Sequence, residues 1–206
     1  MLRPMTLSTI TALALLTLTT PAAAQVTLEQ LDAAADAKDA SMEEFRKRLN
    51  DHDPDRALAA LHLLVSKGDA DQRRMAIRNG LQSTDRAIRA TTLRAIFDSE
   101  PSLRAVFDPV AEEPTVYYSR TVHGNSGIID AEGTASVTFK VNGYDAENAC
   151  WTHKRQEYCL LRLRGDIVSL NFGDSWGTYT LNGSGQLVGE QAINQNLTKA
   201  VIDLSE

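Results

Sequence analysis

Apolar and polar residues alternate with two different periods in the two halves of this chain. Between residues 27 and 107, apolar positions recur at the spacing of amphipathic helices, with helix starts marked at Asp69 and Asp85. Over residues 134–142 every second residue is apolar, which is the period of a half-buried strand. The pattern predicts an α+β fold in three parts: a helical domain over 25–107, a linker over 108–115 and an antiparallel β domain over 116–206.

The helical half contains an internal repeat. Residues 55–58, Asp-Arg-Ala-Leu, recur as Asp-Arg-Ala-Ile at 85–88, an offset of 30 residues. A helix pair of this period resembles the HEAT-like repeat, in which pairs stack because one pair cannot bury its apolar face alone. The resemblance covers residues 53–108, requires a further helix after Glu100-Pro101, and implies a protein-interaction scaffold. A small helical bundle with a coincidental repeat is the alternative.

Turn signals divide the β half into an antiparallel meander of roughly six strands. Asn142-Gly143 is the strongest two-residue hairpin signal, Gly165-Asp166 predicts a second hairpin, and residues 173–176 predict a four-residue loop. The segments 116–122 and 197–204 are candidate further strands, although the second could equally be helical. Most apolar residues fall on one face, so the meander forms either an open sheet or a small barrel.

The two cysteines of the chain, Cys150 and Cys159, are symmetric about Lys154-Arg155. A hairpin turning there makes them cross-strand neighbours, within the separation that a disulfide requires. Their oxidation is expected if the protein is exported from the cytoplasm. Zinc binding by Cys150, His153 and Cys159 is the alternative, although these residues supply only three ligands.

The predicted outer face of the meander is mostly polar, with one aromatic exception. Trp151 is expected to pair with Tyr158 across the cysteine hairpin, and Trp176 is expected close to both. Lys154 and Arg155 lie beside them in the sequence. Aromatic and arginine side chains are favoured anchors of binding surfaces, so these five residues form a candidate patch for a peptide, a glycan or a partner protein. Coverage by the helical half or by a loop is the alternative.

Charge adds a second candidate surface. Residues 72–104 carry seven arginines and three acidic residues, and Arg74 and Arg78 lie one turn apart on the same helix face. The functional interpretation is a basic ridge that receives an acidic partner, and the alternative is an ordinary solvated face. The whole chain has a net charge of −6, which argues against an obligate nucleic-acid binder.

The first 24 residues have the pattern of a secretion signal. Arg3 is followed by an apolar stretch over residues 7–18 and by an A-x-A sequence ending at Ala24, which predicts a mature chain beginning at Gln25. The apolar stretch is too short to span a bilayer. We therefore expect an exported protein, periplasmic or secreted, with no membrane span.

Catalytic motifs are weak in this sequence. Residues 173–177 match G-x-S-x-G around Ser175, and Ser126 follows His123, but neither has the context of a nucleophile site. No metal, phosphate or dinucleotide motif is present, so no catalytic residue, metal or cofactor is predicted. The sequence favours a non-catalytic interaction protein that binds another envelope or extracellular protein. A β domain that binds a small molecule or a glycan is the alternative, and a small serine hydrolase is the third.

Overall fold

The computed structural model describes residues 26–110, 114–154 and 158–204. The predicted secretion signal and Arg155 lie outside the described residues. The fold is α+β, as predicted. The helices are α1 (Leu28–Leu49), α2 (Pro54–Lys67), α3 (Ala70–Leu81), α4 (Arg86–Asp98) and α5 (Val116–Gly124). The strands are β1 (Ser102–Pro109), β2 (Ile128–Ile129), β3 (Ala135–Asp145), β4 (Cys150–His153), β5 (Cys159–Arg164), β6 (Ile167–Phe172), β7 (Ser175–Leu181), β8 (Leu187–Ile193) and β9 (Asn196–Asp203).

The described residues divide into two compact units, one ending at Lys38 and the other beginning at Asp39. Within the first unit, Thr27 and Gln30 each accept a hydrogen bond from the other's backbone N–H at the start of α1. The second unit contains the rest of α1 and all the other elements.

Capping residues set the helix starts, and two of them, Asp69 and Asp85, are at the predicted positions. Asp53 accepts a hydrogen bond from the first turn of α2, where Pro54 fits because a first-turn N–H has no helical partner. Asp69 forms a reciprocal capping box with Gln72 at the start of α3. The side chain of Asp85 caps α4 in the same way as Asp53 caps α2. These caps stabilise the boundaries that the sequence predicts.

The strands close into a barrel. Strand β1 pairs with β9 on one side and with β3 on the other, and β3 to β9 pair in sequence order. This ring of strands leaves only the two-residue β2 as an addition, paired to β3. Closure satisfies the backbone groups that an open sheet would expose at its edges. The sequence left an open sheet and a small barrel as alternatives, and the structure is a barrel.

The predicted short helix after Glu100-Pro101 is wrong, because β1 occupies that position. Leu103, Ala105 and Phe107 are buried, while the residues between them face outward, which is a period of two. The internal repeat predicts a helix over the same residues. The second copy of the repeat therefore has one helix, α4, and its partner segment is a barrel strand.

The candidate strand at 116–122 is also wrong, because this segment belongs to α5. The Thr115 side chain accepts a hydrogen bond from the backbone N–H of Tyr118 and caps the helix. Tyr118 is fully buried, and its hydroxyl donates to the carbonyl oxygens of Phe107 and Gly133. Burial raises the pKa of Tyr118 to about 12. The candidate strand at 197–204 is confirmed as part of β9.

The predicted hairpin registers hold where turns are short. Leu161 pairs with Leu170 and Leu163 with Val168 about Gly165-Asp166, as predicted. At the next turn the prediction is shifted by two residues, because the loop is Gly173-Asp174 rather than four residues, and Val168 pairs with Tyr179. A shift of two keeps each side chain on its predicted face.

The predicted hairpin at Asn142-Gly143 is wrong. Strand β3 continues through these residues with an irregular register and pairs Tyr144 with Trp151. The chain turns after Asp145, whose side chain accepts hydrogen bonds from the backbone N–H groups of residues 147 and 148. Pairing of β3 with β1 on its other side extends to Lys140, so the barrel holds β3 straight where an isolated hairpin would turn.

An ion-pair cluster joins α4 to the β5–β6 turn. Asp166 accepts hydrogen bonds from Arg89 Nη2 at 2.6 Å and from Arg89 Nε at 2.9 Å, and Arg86 Nε lies 3.2 Å away. The side chains of Asp166 and Arg89 are 14% and 20% exposed, so water screens this pair only partly. Hydrogen bonding by Arg89, with Arg86 adding to it, lowers the pKa of Asp166.

We expect Asp166→Asn to lower the free energy of unfolding by about 1–2 kcal/mol at neutral pH, since a two-point charged contact exceeds a single surface pair. The folded-state pKa of Asp166 lies below its unfolded value, so this stabilisation is complete at neutral pH. It is lost as the pH falls through the folded-state pKa. Urea unfolding of both proteins across acid and neutral pH measures the difference, and a difference independent of pH contradicts the assignment.

Candidate functional site

The barrel lumen is filled by aromatic side chains. Phe172 stacks on Phe107 with ring centroids 5.1 Å apart and meets Phe139 edge-on at the same distance. All three residues are at most 3% exposed, and Tyr179 is also fully buried. Small barrels are commonly filled in this way, and this filling makes the interior a core.

A buried amide organises the polar groups of the interior. Gln191 is fully buried and its Nε2 lies within hydrogen-bond distance of the carbonyl oxygens of Phe172 and Ser175, at 2.8 and 3.1 Å. Its Oε1 accepts a hydrogen bond from the Tyr179 hydroxyl at 3.1 Å. Gly177 leaves the space for this amide, since a Cβ at that position would collide with Oε1. Burial raises the pKa of Tyr179, so its hydroxyl stays a donor.

Cys150 and Cys159 form a disulfide, as predicted, with their Cα atoms 5.6 Å apart. They are not directly opposed: Thr152 is the registered partner of Cys159. The bond excludes the zinc interpretation with His153, because it leaves no thiolate to bind the metal.

The double replacement Cys150→Ser/Cys159→Ser should lower the free energy of unfolding by about 2–3 kcal/mol, because it removes a constraint on the unfolded chain. Denaturant unfolding measures the loss. Treating the wild-type protein with a reductant is the matched control and should give the same midpoint as the double variant. Equal stability of oxidised and reduced wild type would contradict this role of the disulfide.

Trp151 is not part of an exposed patch, and its predicted pairing with Tyr158 is wrong. It pairs with Leu161 across the hairpin and is 1% exposed. Its ring meets Phe97 of α4 edge-on at 5.2 Å, and its Nε1 donates to Asp98 Oδ1 at 2.9 Å. The helical half therefore covers Trp151. Coverage of this kind is the alternative to a binding patch that the sequence left open.

The other described residues of the predicted patch are less buried than Trp151. Trp176 is 41% exposed, and the Arg162 guanidinium lies 4.6 Å from its ring centroid. Tyr158 is half-buried and stacks on the His153 ring at 5.4 Å. Lys154 follows His153 in the chain and is exposed, and Arg155 lies outside the described residues.

Tyr158 borders a cleft of about 520 Å³ between α5 and the β6–β7 turn. We name it the Tyr158 cleft. Burial raises the pKa of Tyr158, and the negative charge of Asp174 adds to the effect. The cleft is lined by Thr121, Gly124, Asn125, Tyr158, Asn171, Phe172, Gly173 and Asp174.

The structure separates the arginines of residues 72–104 into two groups. Four make contacts with the β domain: Arg86 and Arg89 with Asp166, Arg94 over the rings of Tyr144 and Trp151, and Arg104 with Ser136. The other three, Arg73, Arg74 and Arg78, are on α3. Arg74 and Arg78 are exposed, as the predicted basic ridge requires. The sequence alone could not separate these groups, because the partners lie far along the chain.

The two candidate nucleophiles, Ser175 and Ser126, lie in hydrogen-bonded or turn positions of the fold. Ser175 Oγ donates to the carbonyl of Ala192 at 2.6 Å and lies 3.0 Å from Gln191 Nε2. It begins a strand after a tight β-turn, whereas a nucleophile elbow requires a strand-to-helix turn. Ser126 is an exposed turn residue with φ 61°, and the nearby His123 Nδ1 lies 3.2 Å from the Gly127 carbonyl oxygen.

Comparison of this chain with protein-family models, with curated proteins and with solved structures finds no match. Within residues 26–110, 114–154 and 158–204, no helix combines the length and hydrophobicity needed to cross a bilayer. The same part of the chain contains no group of three His, Cys, Asp or Glu side chains placed to hold a metal ion.

Proposed function

We propose that this chain is an exported, non-catalytic protein that binds another envelope or extracellular protein through its outer surface. The observation that carries the proposal is the filled lumen: the stacked rings of Phe107, Phe139 and Phe172 occupy the place where a ligand-binding barrel holds its ligand. Recognition then falls to the outside, where Trp176, Arg74 and Arg78 are exposed.

Export is supported by two independent observations. The first 24 residues have the pattern of a cleaved secretion signal, with cleavage after Ala24. The Cys150–Cys159 disulfide is typical of a periplasmic or secreted protein. The repeat in residues 53–108 resembles HEAT-like helix pairs, although its last segment is strand β1, and such pairs serve as binding scaffolds.

Affinity capture of the tagged full chain after crosslinking in its native compartment tests this proposal. We expect one protein to be captured in a fixed ratio and to rebind when both components are purified. Capture of the chain alone, with the purified chain binding no protein of that compartment, contradicts it.

The Tyr158 cleft supports a second candidate, binding of a glycan or another small polar ligand. Half-buried aromatic rings beside amide and carboxylate groups, as in Tyr158, Asn171 and Asp174, suit a molecule with both apolar faces and hydroxyls. Titration of neutral oligosaccharides, followed by tryptophan fluorescence, tests it with Tyr158→Ala as the cleft variant. Loss of a saccharide response in that variant supports the candidate, and no response in the wild type contradicts it.

A further inference from the structure

We propose that a groove between α3 and the α4–β1 connection binds an acidic, carboxylate-bearing segment of the partner protein. This inference rests on the proposed function and specifies the chemistry of the partner. We name the site the α3 groove. It has a volume of about 480 Å³ and is lined by Gly68, Ala70, Arg73, Arg74, Ile77, Ser99, Pro101 and Ser102.

Arg73 presents an incompletely used guanidinium to the α3 groove. Its Nη2 donates to Ser99 Oγ, while its Nε is buried without a hydrogen-bond partner among the described residues. An unpaired buried donor on a charged group is costly. Nε and Nη2 form one edge of the guanidinium. Because Nε is shielded from solvent, a carboxylate would reach this edge only by displacing Ser99 Oγ, and it would then accept from both nitrogens. Ser99 retains its other hydrogen bond, to the Ile96 carbonyl oxygen.

Two more arginines extend this positive charge along α3. Arg74 also lines the α3 groove, and its nearest acidic contact is Asp71 at 3.6 Å, a long ion pair with the arginine side chain 57% exposed. Arg78 lies one turn further and is exposed, with no partner in the described part of the chain. Two exposed guanidinium groups one turn apart suit a segment with several carboxylates.

The surroundings of the α3 groove favour an acidic peptide over a polyphosphate. The chain has a net charge of −6, which opposes the approach of any polyanion and most strongly one of high charge density. Asp69 and Asp71 at the start of α3 add local negative charge next to the arginines. Ile77 and Pro101 contribute apolar surface to the lining, and Ser102 adds a hydroxyl group. Peptides combine separated carboxylates with apolar side chains and backbone amides, which matches this mixture.

Fluorescence anisotropy with a short labelled peptide rich in Glu and Gly tests the inference on the full chain. The groove variant is Arg74→Glu/Arg78→Glu, which leaves Arg73 and its Ser99 contact in place. The matched control is Arg56→Glu/Arg164→Glu, which changes the net charge by the same amount at two other exposed arginines. Thermal unfolding of each variant checks that the fold is retained.

We expect the groove variant to bind the Glu peptide about tenfold more weakly than wild type, and the charge-matched control to change by less than about twofold. A peptide with Gln in place of Glu should not bind. Equal weakening by the two variants, or tighter binding of a short single-stranded DNA, overturns the inference. If the captured partner protein binds the groove variant as well as wild type, the α3 groove is excluded while the proposed function stands. Failure to capture any partner contradicts the proposed function itself.

Discussion

Trp151→Ala should lower the free energy of unfolding by about 3–5 kcal/mol, the range for removing a large buried aromatic side chain. Trp151 is 1% exposed and packs between β3 and α4, with Tyr144 and Phe97 on its ring. Its truncation leaves a cavity and removes the hydrogen bond to Asp98. Urea unfolding monitored by circular dichroism measures the loss.

Trp176→Ala is the matched control for this prediction, since it removes the same side chain from the outer surface. We expect it to cost less than about 1 kcal/mol, mostly from the lost contact with Arg162. Trp151→Phe should fall between the two, because it keeps an aromatic ring against Phe97 but not the donor to Asp98. Equal losses for Trp151→Ala and Trp176→Ala would contradict the burial of Trp151 at the helix–barrel contact.

Gln191→Leu should lower the free energy of unfolding by about 3–4 kcal/mol, because several buried polar groups lose their partner together. The carbonyl oxygens of Phe172 and Ser175 lose a donor, and the Tyr179 hydroxyl loses its acceptor. Leucine has a similar size, so the loss reports hydrogen bonding more than volume. Chemical unfolding measured at neutral pH gives the value.

Tyr179→Phe is the graded comparison for Gln191→Leu. It removes one hydrogen bond of the network and should cost about 1 kcal/mol. If Gln191→Leu costs no more than Tyr179→Phe, the carbonyl contacts of the amide contribute little and the assigned network is wrong.

Much of the barrel could be predicted from local patterns. The period-two alternation and the Gly165-Asp166 turn determine register wherever a turn is tight, and an error of two residues leaves the faces unchanged. The Asp-Arg repeat predicts a helix in place of strand β1. Leu103, Ala105 and Phe107 nevertheless alternate with polar or less buried residues, which is the pattern of a strand. Its pairing with both β3 and β9, which closes the barrel, is a long-range contact that no local pattern indicates.

The candidate site was less predictable, because exposure depends on tertiary packing. Trp151 and Trp176 look equivalent in sequence, yet α4 covers the first and leaves the second exposed. The arginines also look equivalent, and only their distant partners distinguish Arg89 from Arg78. The only sequence feature that relates to Gln191 is Gly177, which leaves space for its side chain. This relation is visible only when the pairing between β7 and β8 is known.

Native mass spectrometry of the protein isolated from its own compartment tests most directly whether recognition occurs on the outer surface. We expect a complex with a partner protein and an uncomplexed chain that carries no small molecule. The mass of that chain should correspond to a beginning at Gln25 and to an intact Cys150–Cys159 disulfide. A chain without a partner that retains a small apolar molecule would contradict the filled lumen and the proposed function together.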